Sequence, residues 1–326
     1  VIIRDKQDLR RCVKQAVRRA EVVETRLDFD ILHGEVGVGA LMGEPAAQSA
    51  VGTGTPLQRG AVEAFAALNA LDLPAHDVGK AETIAQGYDR GAYLAQVLRA
   101  MRARRVLVTV PMDQAEQTAF PDERFSPLLA VGPDTFTPGR YGVSYESAAQ
   151  RIAQAAHACG ARDVTLAAWD EQALGFCLAP LCEDECMVLH IRLDAPEQVI
   201  ALAEVMDDHP RLRVLAGARG HAQRALLREA APRKRLLVRL SDPQRLGEAL
   251  GLLGTRVLAY SAEADLPERM LGRWVQARET IWQALYEAYL PLARAGYELT
   301  DDAVERDAVR MLGGAYLELH TETNDD

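Results

Sequence analysis

Five apolar runs in the C-terminal half decide the fold: VTLAAW from Val164, MVLHIR from Met187, RVLAGA from Arg213, RLLVRL from Arg235 and RVLAYS from Arg256. Successive starts lie 23, 26, 22 and 21 residues apart, and a helix-like stretch follows each run. A strand, a turn and a helix of three to four turns fill about that many residues. Working outward, VVETRLDF from Val22, VLVTVP from Val106 and PLLAVG from Pro127 bring the runs to eight. Eight buried parallel strands alternating with helices predict a (β/α)8 TIM barrel of the α/β class. Function in such a barrel sits at the C-terminal ends of the strands.

The interval is broken in two places, so the barrel is expected to be distorted. Residues 34–103 are too long for a simple crossover. They open glycine-rich (GEVGVGALMG, then VGTGTP) and continue with helical stretches near 57–72 and 80–103, which reads as a helical insertion after strand 1. A shorter loop, PDTFTPGRYGV, follows strand three. Beyond strand eight two extra C-terminal helices are expected. WVQARETIWQALYEAYLPLARAG ends near a capping Gly296, and LTDDAVERDAVRMLGGAYLEL starts from Thr300 or Asp301. Residues 5–21 should form a leading helix outside the barrel, and the closing TETNDD a frayed tail.

Composition narrows the function classes. The 326 residues, 48% of them hydrophobic, suit one barrel domain over 1–326. A net charge of −10 argues against general nucleic-acid binding, which needs a concentrated basic surface. No apolar stretch approaches the roughly 18 residues of a membrane span. The charged opening segment does not read as a secretory signal. Five cysteines without framework spacing point to a reducing, cytoplasmic compartment. A homo-oligomer is compatible with the sequence.

The C-terminal quarter carries a resemblance. GLLGTRVLAYSAEADLPERMLGRWVQARETIW, followed by LTDDAVERDAVRMLGGAYLEL, resembles the end of the uronate isomerase-like branch of the amidohydrolase superfamily. The matching positions are Leu252–Thr255, Trp274, Arg306–Asp307 and Gly313–Gly314. RGAVEAFAALNALDLP is similar to that branch's insertion helix, RARRVLVTVPMD to its second strand and DERFSPLLAVGP to its third. The resemblance implies a metal-dependent barrel, and the departures fall on its chemistry. Arg26 and Asp28 stand where the first-strand His-x-His pair would bind a divalent metal. Shifting the register by two offers Asp30 and Leu32 instead. The third-strand arginine and aspartate fall on Ala130 and Gly132, the tryptophans after strand seven have no counterpart in LVRLSDP, and the strand-eight metal aspartate falls on Glu263. Arginine stays protonated and offers no lone pair, so no metal ligand set and no cofactor are expected.

Two function classes follow. In the first reading the inherited metal-dependent activity is lost, and the barrel mouth binds a small anion or serves assembly. In the alternative the chain is an active isomerase or hydrolase on a sugar acid or related anion. Asp28 or Glu263 would then act as the base, and Arg26, Arg192, Arg219 and Arg239 would hold the anion, because a planar guanidinium pairs well with carboxylate or phosphate. Other constellations read as structural. Cys177, Cys182, Cys186 and His190 have zinc-ligand types, but they straddle a helix-to-strand turn at the barrel bottom with His190 about 13 Å further along the strand. His190 reads better as a hydrogen-bonded core residue, and His221 as solvated. His33 alone would bind metal weakly. Gly34–Gly43 and Gly52–Gly54 match no phosphate-binding fingerprint, no Gly-x-Ser-x-Gly elbow is present, and Cys12 shows no activating surroundings.

Overall fold

The recurring apolar runs form eight strands in one parallel sheet of sequential order. The computed structural model describes residues 2–3, 5–28, 59–75, 77–136, 144–264 and 266–321. Both glycine-rich stretches, with Asp30 and His33, lie outside the described residues, as do 137–143 of the loop after strand three and the final five residues.

The strands are β1 (Val22–Asp28), β2 (Ala103–Pro111), β3 (Phe125–Val131), β4 (Asp163–Leu166), β5 (Val188–Leu193), β6 (Arg213–Ala218), β7 (Leu236–Arg239) and β8 (Val257–Leu258). Helices lie between them, so the expected distorted (β/α)8 barrel is what the chain forms. The leading helix is α1 (Lys6–Arg19), capped by the Asp5 carboxylate on the amides of Gln7 and Asp8. The insertion contributes α2 (Arg59–Ala70), α3 (Val78–Gln86) and α4 (Arg90–Met101). Around the rest of the ring run α5 (Tyr145–Cys159), α6 (Ala179–Asp184), α7 (Pro196–Asp208), α8 (Gly220–Ala230) and α9 (Leu246–Leu253). After β8 come α10 (Pro267–Arg294), α11 (Asp301–Val309) and α12 (Ala315–Thr321). Thr300 caps α11 by accepting from the Ala303 amide, and Gly296, at φ 81°, follows the end of α10. Among the described residues no helix is long and apolar enough to cross a membrane.

The ring is unevenly closed. β7 and β8 share two register pairs, Val238↔Val257 and Arg239↔Leu258. Between the β8 end and β1, the described backbone makes a single bridge, Leu27↔Ala264.

The N-terminal end of the barrel is plugged by α12. Seven strands each contribute an apolar side chain to one buried cluster with Ala315, Tyr316 and Leu319: Val23, Leu107, Leu128, Val188, Leu215, Leu237 and Leu258. The remaining strand, β4, places Asp163 there instead, fully buried. Its carboxylate accepts from Tyr316 Oη at 2.6 Å and from His190 Nε2 at 2.9 Å, with Arg105 Nη2 at 3.5 Å. His320 Nε2 lies 3.3 Å away but without hydrogen-bond alignment. Burial opposes ionisation of Asp163, yet the contacts from His190 and His320 outweigh it and hold the carboxyl well below its usual range. His190 is the hydrogen-bonded core histidine the sequence suggests. Its Nδ1 has no partner among the described residues, which fits a neutral ring with its proton on Nε2. Burial lowers its pKa, against the pull of Asp163. The zinc reading is not supported. Cys177 and Cys182 are buried, with thiols pushed up by desolvation, and Cys186 is exposed.

This plug predicts acid sensitivity with a defined sign. The native His190 pKa lies below 6.5, so the unfolded chain takes up that proton first as pH falls through 6.5. Stability is therefore full above that value and declines below it. Asp163 adds a second loss as pH falls below 3.8 toward its depressed native value. Urea midpoints over a pH series should show both slopes, and His190→Gln should remove the upper one. Asp163→Asn should cost about 1–3 kcal/mol at pH 7, the usual loss when buried donors trade an ionised acceptor for an amide.

Candidate functional site

The site is built where the sheet is weakest, between β8 and β1. Beyond the two-residue β8 the buried amides must find acceptors. Ala259 donates to the Met311 carbonyl and Ser261 to the Leu240 carbonyl, and Ala262 donates to Glu24, in β1. The β1–β2 register shifts between Glu24 and Leu27, and such an irregularity re-aims side chains. Glu24 and Thr25 are thereby both fully buried.

Five donors converge on the Glu24 carboxylate. Oε1 accepts from the amides of Thr25 at 2.9 Å and Arg26 at 3.1 Å and from Ser261 Oγ at 2.5 Å. Oε2 accepts from the Ala262 amide at 2.7 Å and from Trp274 Nε1 at 2.8 Å. Burial leaves the carboxyl pKa raised, although the hydrogen bonds from Ser261, Ala262, Trp274 and Arg26 oppose the shift. A set this rich in donors suits the ionised carboxylate, which has about four lone-pair sites and no proton to place.

Above this knot lies an arginine–glutamate pair. Arg239, at the end of β7, is 7% exposed. Its Nη2 sits 2.8 Å from Glu263 Oε1, and its Nη1 donates to Thr25 Oγ1 at 3.2 Å. Thr25 Oγ1 donates in turn to Ser261 Oγ at 2.9 Å, and Ser261 to Glu24. A hydrogen-bond chain thus runs from the Arg239 guanidinium to the buried carboxylate. Gly217 in β6 makes room for it, since a Cβ there would lie 3.1 Å from Arg239 Nη2. Desolvation lowers the Arg239 pKa, Glu263 and Glu24 counter it, and Arg26 and Arg192 add repulsion.

Glu263 is held in a left-handed backbone conformation, φ 45°. That costs a non-glycine residue on the order of 1–2 kcal/mol, and such residues cluster at functional sites. Arg273 of α10 braces the turn by donating to the carbonyls of Ala262 at 3.0 Å and Glu263 at 3.5 Å.

The sequence-predicted residues can now be placed. Arg239, Glu263 and Arg219 come together, with Arg219 Nη2 3.9 Å from Glu263 Oε2. Arg192 is on the same face of β5 as His190, two residues nearer the mouth, with Nε 3.3 Å from Asp194 Oδ1. Arg26 is exposed, and among the described residues no ion pair engages it. Asp28 ends β1, and its side chain lies outside the described residues. His221 is exposed. Sequence reasoning missed Glu24, Thr25 and Ser261 and read Trp274 only as a position of the family resemblance. Nothing in VVETRLD marks the first of these, because β1 also carries Thr25, Arg26 and Asp28.

The structure is similar to two solved proteins. A uronate isomerase from Bacillus halodurans C-125 superposes with a TM-score of 0.80 over 98% of this chain and 97% of its own, at 13% identity. A protein assigned to the metal-dependent hydrolases from Lactobacillus casei ATCC 334 gives a TM-score of 0.61 over 95% and 97%, at 14% identity. At these identities the likeness establishes the barrel fold alone. No protein-family model matches the chain, and no curated protein matches it by sequence.

A divalent metal of the kind this fold can hold does not suit the described donors. Both oxygens of Glu24 are saturated by protein donors, Glu263 Oε1 is taken by a guanidinium, and His190 is tied to Asp163 deeper in the barrel. Among the described residues no three His, Cys, Asp or Glu side chains cluster as a ligand set.

Glu24→Gln keeps the shape but turns an acceptor oxygen into a donor facing donors. Each buried group so orphaned costs about 1–3 kcal/mol, so chemical denaturation should show a loss of at least ~2 kcal/mol. Ser261→Ala, which removes one donor with little change of volume, should lose less. A Glu24→Gln protein as stable as the parent would contradict this account of the seam.

Proposed function

We propose that this chain is a divergent, uronate isomerase-like barrel that has lost the metal-dependent reaction and binds a small anion at its mouth. One observation carries the reading: among the described residues, the mouth arginines outnumber the carboxylates that hold them. Glu263 is shared between Arg239 and Arg219, and the side chains of Arg219 and Arg192 remain 59% and 41% exposed. Arg26 is close enough to add repulsion at Arg239. A carboxylate or phosphate entering between these groups relieves that repulsion and gains charge-assisted hydrogen bonds. Arg239, being buried and already paired, positions Glu263 and leaves contact with the ligand to Arg26, Arg192 and Arg219.

A second reading has one observation in its favour. Glu263 is a carboxylate on strained backbone at the strand-eight exit, where a proton-abstracting base would stand. Under it the anion is a substrate, a sugar acid or a related molecule, and Glu263, alone or with Asp28, moves its proton.

A thermal-shift screen of sugar acids, phosphorylated sugars and neutral sugars, each with and without divalent metal, separates the readings. A ligand that binds the native state raises stability by RT ln(1 + [L]/Kd). The expected result is a shift with one anion class, unchanged by metal. Arg219→Ala and Arg192→Ala should each weaken it roughly tenfold, about one charge-assisted hydrogen bond. A shift that requires metal would revive the metal-dependent enzyme. No shift with any anion would sink the binding reading.

A further inference from the structure

A second concave site lies beside the mouth, between the loop after β7, the end of β8 and the helices α2 and α10. It encloses about 480 Å³, within the range of small-molecule pockets. Its floor is fixed by a close approach of the two helices. A Cβ on Gly272 would lie 2.1 Å from the Glu63 carbonyl oxygen, so α2 and α10 meet backbone to backbone there. Glu63, Tyr260 and Ala277 at the bottom are 4%, 6% and 3% exposed. Asp242 and Gln244 form an open rim.

The lining chemistry differs from that of the arginine mouth. Its charges are Glu63, Asp242 and Arg273, one negative in balance. Arg273 Nε is paired with Glu63 Oε2 at 3.2 Å and its Nη1 donates to the Ala262 carbonyl. Asp242 Oδ1 accepts from the Gln244 amide at 3.0 Å. Among the described residues the only cation of the lining, Arg273, is already paired with Glu63. The uncharged groups are hydroxyls of Ser241, Tyr260 and Thr280 and the amides of Gln244 and Gln276. Gln276 Nε2 is buried without a hydrogen-bond partner among the described residues, and such a donor is costly to leave unmatched.

We infer that this cavity binds a small neutral polyol, a sugar alcohol or an uncharged sugar. Hydroxyl groups both donate and accept. They can donate to the exposed Asp242 carboxylate at the rim and accept from Gln276 once its amide turns outward into the cavity. A carboxylate ligand meets a net negative lining. An ammonium ligand donates only and leaves Gln276 unmatched. The inference stands independently of the anion reading of the mouth. Arg273 is the shared wall, because it lines this cavity and holds the backbone of Ala262 and Glu263 on the other side.

Saturation-transfer NMR on the full chain with sorbitol, gluconate and glucamine tests it, since the three share a six-carbon chain and differ in charge at one end. Sorbitol is expected to bind with a millimolar Kd, and gluconate and glucamine more weakly. Thr280→Trp, which fills the cavity from its rim, and Gln276→Leu, which removes the orphan donor, should each weaken sorbitol by roughly tenfold or more. Arg192→Ala should leave sorbitol unaffected. The inference is overturned if sorbitol gives no transfer, if it binds both variants as well as the parent, if Arg192→Ala abolishes it, or if glucamine or gluconate outcompetes it. Circular dichroism of each variant guards against loss of fold, and the conservative Gln276→Leu remains decisive should Thr280→Trp fail to fold.

Discussion

The buried carboxylate of Glu24 is the interaction on which the mouth of this barrel depends. β8 has two residues, and the chain beyond it cannot complete a ladder with β1. Glu24 replaces the missing strand contacts. It takes the Ala262 amide, the Ser261 hydroxyl and the Trp274 indole on one side of the seam, and its own neighbours' amides on the other. An ion at this depth is stable only because all its lone pairs are occupied. The same bonds fix the turn that carries Glu263, so the closure of the sheet and the placement of the mouth carboxylate are one structural event.

The barrel thus has a polar knot at each end, with apolar side chains between. At the N-terminal end Asp163 gathers His190, Tyr316 and Arg105 and ties α12 into the ring. At the C-terminal end Glu24 gathers the seam. Neither carboxylate is free to act on a ligand. What remains for chemistry is the layer above Glu24, where Glu263 is shared by two arginines and Arg192 and Arg26 reach solvent. The fold is similar to that of a uronate isomerase, but the described carboxylates here, Glu24 and Glu263, are engaged in hydrogen bonds and ion pairs within the protein.

Much of the fold was legible in the residue order. The near-constant interval from Val164 to Arg256 and the three earlier runs gave the strands, because a buried parallel strand must be apolar along its length and its crossover helix has a minimum length. Thr300 and Gly296 could be read as helix-end residues because capping is local chemistry. The site was legible in part. Arg192, Arg219, Arg239 and Glu263 fall at strand ends, which sequence position alone indicates. Glu24 was not singled out, because its role comes from Ser261, Ala262 and Trp274, more than 230 residues away in the chain.

The sequence by itself determined the number of strands, their order and the end of the barrel that carries the mouth, since these follow from periodicity and from the constraint that parallel strands need crossovers. Tertiary structure alone decided which charges neutralise each other. It paired Arg239 with Glu263 and put Asp163 under α12. It also set Gln276 and Glu63 around a second cavity. Pairing energies depend on separation and burial in three dimensions, and a linear chain encodes neither until its sheet has closed.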